Sequence, residues 1–417
     1  MRGLAFGIER FSATRRKLLQ LPLQVAGTAL GLAFVSRKEI AAAPAASAQR
    51  ATLPRVKITD VETWVLNCGS LFVLVRTDQG VTGYGESSPM NVRALAAFIH
   101  ETLKPLVVGQ NALDRERLWE HMYFSTYKLG VMGAQPEAIA GIDIALWDIF
   151  GKVTGQSLSQ LFGGRRRDRV RMYASIGGGS ESTPTEMARR AVKAVEDGHT
   201  MVKIRMDWGA RRTDVNPGHD LAVLSEVRKA IGDKVELGSD PNNGFSVATA
   251  IRLGRRFQEE LGIIHYEEPV AQYDYAGLAQ VVDALDVPVA AGEHEYTRWQ
   301  FRDLIAQANV DILQPDLVKC AGISEAVRIA ALASTYNRIL IPHQTQPAIG
   351  TAANLHFTAC FAREERAQEY DINSKRAVLN RVIHPALEQK NGYLPVPDGP
   401  GLGIEVDEAG LRGLRVT

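Results

Sequence analysis

V-E-L-G-S-D at residues 235–240 is a β-type run that closes on a carboxylate, and the same design recurs downstream. I-I-H-Y-E at 263–267, V-A-A-G-E at 289–293, I-L-Q-P-D at 312–316 and I-L-I-P-H at 339–343 all end on a titratable residue. The closing residues, Asp240, Glu267, Glu293, Asp316 and His343, stand 27, 26, 23 and 27 positions apart, about one strand, loop and helix each. Strands that alternate with crossover helices build a parallel sheet. When such a sheet closes into a barrel, its strand ends converge on one face, so residues remote in sequence become neighbours.

Outward from this series, β-type runs near Val170, Met201, Val235, Ile263, Val287, Asp311, Arg338 and Gln368 number eight, with helical segments between neighbouring pairs. The pattern predicts a modified TIM barrel, (β/α)7β, over residues 166–384. Residues 55–165 read as an α+β capping domain. An antiparallel meander runs from Val56 to Glu86 with a turn at Asp78-Gln79-Gly80, and helices follow at Val92 to Val107, Asp114 to Tyr127 and Pro136 to Val153. Arg165-Arg166-Arg167-Asp168 reads as a charged hinge. The segment 385–417, rich in Pro and Gly from Gly392, is too irregular for another barrel helix and is expected to return to the capping domain.

Of 417 residues, 45% are hydrophobic and 23% charged, ordinary for a chain with a large core. A net charge of +1 without a basic stripe excludes a nucleic-acid partner and leaves a small molecule as the expected one. Cys68, Cys320 and Cys360 are odd in number and far apart, which argues against a disulfide framework. Ahead of the capping domain, T-R-R-K-L-L at 14–19 precedes a weakly apolar stretch and an Ala-rich run ending Ala46-Ser47-Ala48. That is the order of a twin-arginine export signal spanning 1–48, with cleavage expected after Ala48. Gln20, Pro22 and Gln24 make the apolar stretch a poor spanning helix, so no stable membrane insertion is expected once the signal is removed. The expected location is the periplasm, or the cytoplasm if the signal does not function.

Three carboxylates, Asp240, Glu267 and Glu293, end three consecutive strands and can face one point. An all-oxygen set suits a hard divalent ion, Mg²⁺ before Zn²⁺, with room for substrate oxygens. Any one of them alone could merely cap the helix that follows it. Asp316 and His343 end the next two strands, so the carboxylate can fix the imidazole tautomer and raise its basicity, as a general base requires. On the strand M-V-K-I-R, Lys203 and Arg205 share a face while Val202 and Ile204 point the other way. Glu369, on the last strand beside Tyr370, completes the ring.

These segments resemble the enolase superfamily and, within it, the mandelate racemase-like subgroup. The match is carried by V-K-I-R, G-S-D-P-N-N-G, Y-E-E-P, G-E-H-E-Y-T-R-W, I-L-Q-P-D-L-V-K-C-A-G-I-S-E, I-P-H and, in the capping region, A-I-A-G-I-D-I-A-L-W-D-I. The resemblance implies Asp240, Glu267 and Glu293 as Mg²⁺ ligands, Asp316 and His343 as a catalytic dyad, and Glu369 as a contact to the substrate carboxylate. It gives Glu268 a supporting role and implies a homo-oligomer. Enolase-superfamily sites, with a Lys or His base beside Mg²⁺, are a standard example of stabilising a carbanion next to a carboxylate.

Racemases of the subgroup carry K-x-K where this chain has Lys203 and Arg205. Arginine is always protonated, so Arg205 is a poor base and a better anion clamp, which tilts the expectation from inversion to elimination. G-E-H-E-Y-T-R-W is similar to sugar-acid dehydratases, notably those acting on rhamnonate and related aldonates. There His294 would touch the substrate or act as a second acid, or else remain a supporting hydrogen-bonding group. The implied activity is Mg²⁺-dependent dehydration of an aldonate or aldarate to its 2-keto-3-deoxy acid, with specificity set by loops at 67–71 and 87–93. A racemase, epimerase or lactone cycloisomerase is the alternative within the family. A non-catalytic exported binding protein is the alternative outside it, and the intact set of Asp316, His343, Glu369 and the three ligands weighs against that.

Overall fold

Strand β2 (Leu71–Thr77) is buried along almost its whole length because its alternate residues feed two different cores. Leu71, Val73 and Val75 pack into the capping core, whereas Phe72 and Leu74 join the large cluster that runs through the barrel wall. In the computed structural model, residues 53–209, 213–363, 365–372 and 376–416 are described. The expected export signal lies outside the described residues. No described helix is long and apolar enough to cross a membrane.

The capping sheet is antiparallel, with β2 between β1 (Ile58–Val65) and β3 (Thr82–Ser87). Helix α1 (Val92–Phe98) continues through a π-turn, Ile99–Leu103, into α2 (Lys104–Val107), then come α3 (Arg115–Thr126), α4 (Ala134–Thr154) and α5 (Leu158–Leu161). The sequence predicted one regular helix from 92 to 107. Pro105 lacks the N–H that would bond one turn back, and the ladder widens just ahead of it. Helix α4 lies directly on β3 because Gly83 and Gly85 leave room. A Cβ on Gly83 would stand 2.6 Å from Ile149 Cγ1, and one on Gly85 would collide with the Gly141 carbonyl.

The barrel then alternates strand and helix: β4 (Arg169–Ile176), α6 (Pro184–Glu196), β5 (Met201–Arg205), α7 (Pro217–Ile231), β6 (Glu236–Asp240), α8 (Val247–Leu261) and β7 (His265–Glu267). It continues with α9 (Tyr275–Ala284), β8 (Val289–Ala291), α10 (Arg298–Asp303), β9 (Ile312–Leu313), α11 (Ile323–Thr335), β10 (Ile339–Leu340), α12 (Ile349–Phe361) and β11 (Gln368–Asp371). These eight parallel strands run in the order β10-β9-β8-β7-β6-β5-β4-β11, so the last strand returns to pair with the first. No ladder joins β10 to β11 among the described residues. A side chain spans that seam instead, the Gln344 N–H donating to Glu369 Oε2 at 3.0 Å.

Tyr173, Met201, Ala290, Ile312, Ile341 and Ala367 form a small apolar cluster inside the barrel. Neighbours such as Val202, Val289 and Leu313 point outward into the helical layer. The tail contributes α13 (Arg376–Leu379), β12 (Ile383–His384), β13 (Tyr393–Pro395), β14 (Glu405–Val406) and α14 (Glu408–Arg412). It first adds β13 antiparallel to β4 and only then reaches the capping sheet. There Val416 N donates to Val65 O at 2.8 Å, and Arg76 pairs with Glu408 at 2.6 Å.

The basic run at 165–167 is not a free hinge. Arg166 N and Nε donate to the carbonyls of Ala359 and Cys360, and Arg167 Nη2 donates to that of Ala362. These are the carbonyls that the end of α12 leaves without helical partners.

Candidate active site

Lys203 is fully buried inside the barrel mouth, and its ammonium meets three carboxylates. Nζ is 2.6 Å from Glu267 Oε1, 2.9 Å from Glu369 Oε1 and 3.5 Å from Asp240 Oδ2. Burial opposes the charge, but Glu267 and Glu369 outweigh it and hold the lysine pKa well above its usual value. Glu267 behaves reciprocally: burial would raise its carboxyl, yet Lys203 and a contact from His265 hold it below the usual carboxylate range. Its second oxygen accepts from Gln314 Nε2 at 2.7 Å and lies 2.8 Å from His265 Nε2.

A second group surrounds His343. Nδ1 lies 2.6 Å from Asp316 Oδ2, and Nε2 lies 3.0 Å from Glu293 Oε2. Asp316 Oδ1 in turn accepts from Val318 N at 2.9 Å, which fixes the carboxylate. Burial disfavours the imidazolium, but Glu293 overrides it, and the pKa of His343 stands well above the ordinary value. Lys319 Nζ and His294 Nε2 each stand 3.4 Å from Glu293 Oε1. The two groups meet where Glu369 Oε2 comes within 4.0 Å of His343 Nε2.

The ring expected from strand ends is therefore gathered at one mouth but divided in two. Asp240, Glu267, Glu369 and Lys203 form one half; Glu293, Asp316, His343 and His294 form the other. Among the described residues, the group whose ligand-type atoms all fall within 4.8 Å of one another is Glu268, Glu293 and His294. Glu268 sits at a positive φ of 38° and accepts from Asn243 Nδ2 at 2.7 Å. Burial, Glu293 and Asp240 push its carboxyl well up. Asp240 is likewise pushed well above the carboxylate range, by burial and then by Glu267. The carboxylate oxygens of Asp240, Glu267, Glu268 and Glu293, gathered at one mouth with Lys203 and Lys319 against them, are the donor chemistry that suits a hard divalent cation.

Arg205, two residues beyond Lys203 on β5, stays outside the lysine's carboxylate group. Its guanidinium lies against Gly177, where a Cβ would collide with Nη2. Sequence reasoning assigned no role to His265, Gln314 or Lys319. His265 shares the inward face of β7 with Glu267, and Gln314 shares that of β9 with Ile312, so period-two reading would have found both. Lys319 lies in the turn after Asp316, and only the fold reveals that its amine folds back onto Glu293.

Residues 186–410 match the enolase C-terminal domain-like family, and residues 61–163 match the mandelate racemase/muconate lactonizing enzyme N-terminal domain. An arabinonate dehydratase of Saccharolobus solfataricus is 34% identical over 80% of this chain and 87% of its own length. A D-galactonate dehydratase of Verminephrobacter eiseniae is 34% identical over 85% of this chain and 93% of its own length. A D-galactarolactone cycloisomerase of Agrobacterium fabrum is 34% identical over 83% and 91%. A mandelate racemase/muconate lactonizing protein of Paracoccus denitrificans, solved in complex with magnesium, superposes with a TM-score of 0.83 at 37% identity, covering 87% of this chain and 98% of that one. The chain belongs to the mandelate racemase/muconate lactonizing enzyme family of the enolase superfamily.

Proposed function

We propose that this protein is a hydro-lyase acting on sugar acids: it removes the proton α to a carboxylate and expels the β-hydroxyl, leaving a 2-keto-3-deoxy acid. The observation that carries the reading is the dyad. Asp316 holds His343 through Nδ1 at 2.6 Å, so Nε2 is the nitrogen presented to the carboxylate-lined mouth. Relatives named as dehydratases of three different aldonates support the reaction class.

Asp240, Glu267 and Glu293 would hold Mg²⁺, which supplies Lewis-acid stabilisation of the charge that develops on the substrate carboxylate. The chain's own residues do the rest. His343 Nε2 takes the α-proton once the charge of Glu293 is no longer directed at it. Lys203 fixes Glu267 and Glu369, so the carboxylates around the reacting carbon keep their places. The proton gained by His343 is then available to the departing hydroxyl, which leaves as water while the enol rearranges to the keto acid. Arg205 cannot act as an opposite-face base and serves as an anion clamp. The T-R-R-K-L-L segment supports export by the twin-arginine route ahead of this chemistry.

Purified protein with Mg²⁺, assayed for 2-keto acid on a panel of aldonates and aldarates, is expected to turn over at least one member. Activity should disappear with EDTA and fall by about 10³-fold or more in His343→Asn. No keto acid from any member sinks the proposal. The relative named as a cycloisomerase marks a second reading. Solvent deuterium entering the α-carbon without keto-acid formation would establish an isomerase instead.

A further inference from the structure

β5 directs two cations into the barrel mouth, and Lys203 is the one that forms close ion pairs with Asp240, Glu267 and Glu369. Arg205 forms part of the wall of a cavity of about 610 Å³ beside that centre. Gly177 and Gly178 from the end of β4, Arg189 and Arg190 from α6, and Asp207 just past β5 complete the part that matters. Arg205 belongs to both regions. Burial works against its charge, while Asp371, Glu369, Asp207 and Asp240 hold its pKa above the ordinary value. Its Nε is buried and has no hydrogen-bond partner among the described residues.

Two of the three carboxylates in this cavity are already committed. Glu186 accepts from Thr183 N at 2.9 Å and from Thr183 Oγ1 at 2.8 Å, capping α6. Asp207 accepts from Gly178 N. The remaining one, Glu181, is exposed. Guanidinium forks recognise planar carboxylates in pairs of parallel hydrogen bonds, and the missing side chain of Gly177 is what lets the Arg205 fork lie in this wall. Lys203 and Arg205 are two strand positions apart, about 6.6 Å, a separation that an acyclic sugar chain can bridge.

We infer that this cavity receives the distal carboxylate of a sugar diacid, held by Arg205 and Arg190, so that aldarates and not aldonates are the preferred substrates. The inference rests on the sugar-acid reading of the site and narrows it to one substrate class.

The test is calorimetric binding to Mg²⁺-loaded His343→Asn enzyme, which holds ligands without turning them over. Galactarate, galactonate and 6-phosphogluconate are compared as diacid, monoacid and phosphorylated monoacid. Galactarate is expected to bind about 10- to 100-fold tighter than galactonate, the range for a charge-assisted pair. Arg190→Gln in the same background should erase that preference. If that variant does not fold, Arg205→Lys, which keeps the charge and loses the planar fork, should reduce the preference at least about fivefold. Equal binding of diacid and monoacid overturns the inference. So does tightest binding of the phosphorylated acid, or a preference that survives in a folded variant. Galactonate turnover by the unaltered enzyme without a diacid preference sinks the cavity assignment and spares the dehydratase. A diacid preference with no keto acid from any substrate sinks the dehydratase and leaves the cavity assignment standing.

Discussion

Toward the amino ends of its strands the barrel interior is filled by Met201, Ile312, Ile341 and Ala367, while two residues further along the same strands stand Lys203, Gln314, His343 and Glu369. One pleat separates an apolar base from a mouth of ionised and hydrogen-bonding groups. The base gains by removing apolar surface from water. The mouth gathers buried carboxylates whose desolvation costs several kcal/mol each unless partners offset it. What the contrast teaches is a division of labour: packing at the base holds the strand register that brings unlike charges to within 3 Å at the mouth.

The largest expected effect comes from removing the cation that organises the mouth. Lys203→Met should cost about 3–5 kcal/mol in urea unfolding, because it leaves Glu267 and Glu369 buried without their partner. A loss below about 1 kcal/mol would mean that the carboxylates protonate or find other partners, and the division of labour would fail at its charged end. At the base, Ile312→Ala should cost about 2–5 kcal/mol and leave kcat within about twofold. A tenfold fall in kcat would show that base and mouth are not separable.

The effect confined to one carboxyl is a pH dependence at the edge of the mouth. Glu86 is buried on β3, its Oε2 accepts from Gly350 N at 2.9 Å, and burial pushes its carboxyl up to about 7 from 4.5. Between those values the folded state holds the proton more tightly than the unfolded chain does. The stabilisation is therefore complete below pH 4.5 and is lost as pH rises through 7. Stability of the unaltered protein relative to Glu86→Gln should fall over that window by on the order of 3 kcal/mol. A flat difference between the two proteins would remove Glu86 from the account.

The gathering of these side chains at one mouth was legible in sequence because five successive β-type runs close on a titratable residue, so position along the strand already implies position in space. Asp240, Glu267, Glu293, Asp316 and His343 follow from that rule, whereas Lys203 and Glu369 lie within their strands and reach the mouth through the pleat. Their division into two groups did not, because which carboxylate meets Lys203 depends on strand tilt and side-chain rotamers, and neither has a periodic signal. Gly83 and Gly85 were equally silent, since their value lies in what α4 lacks room for. What the basic run at 165–167 binds was not legible, because charge alone does not reveal that the carbonyls ending α12, nearly two hundred residues later, lie beside it. The π-turn before Pro105 had a visible cause, but period counting overlooks one added residue.

The contact between Arg76 and Glu408 joins residues 332 positions apart, and Arg76 also holds Glu62, 14 positions away. The capping sheet is thus not completed by local sequence alone, since one guanidinium is shared between a neighbour on β1 and a partner that follows the entire barrel. The segment from Glu408 to Val416 thus works as a strap, tying the cap to a stretch of chain from the far side of the whole barrel sequence.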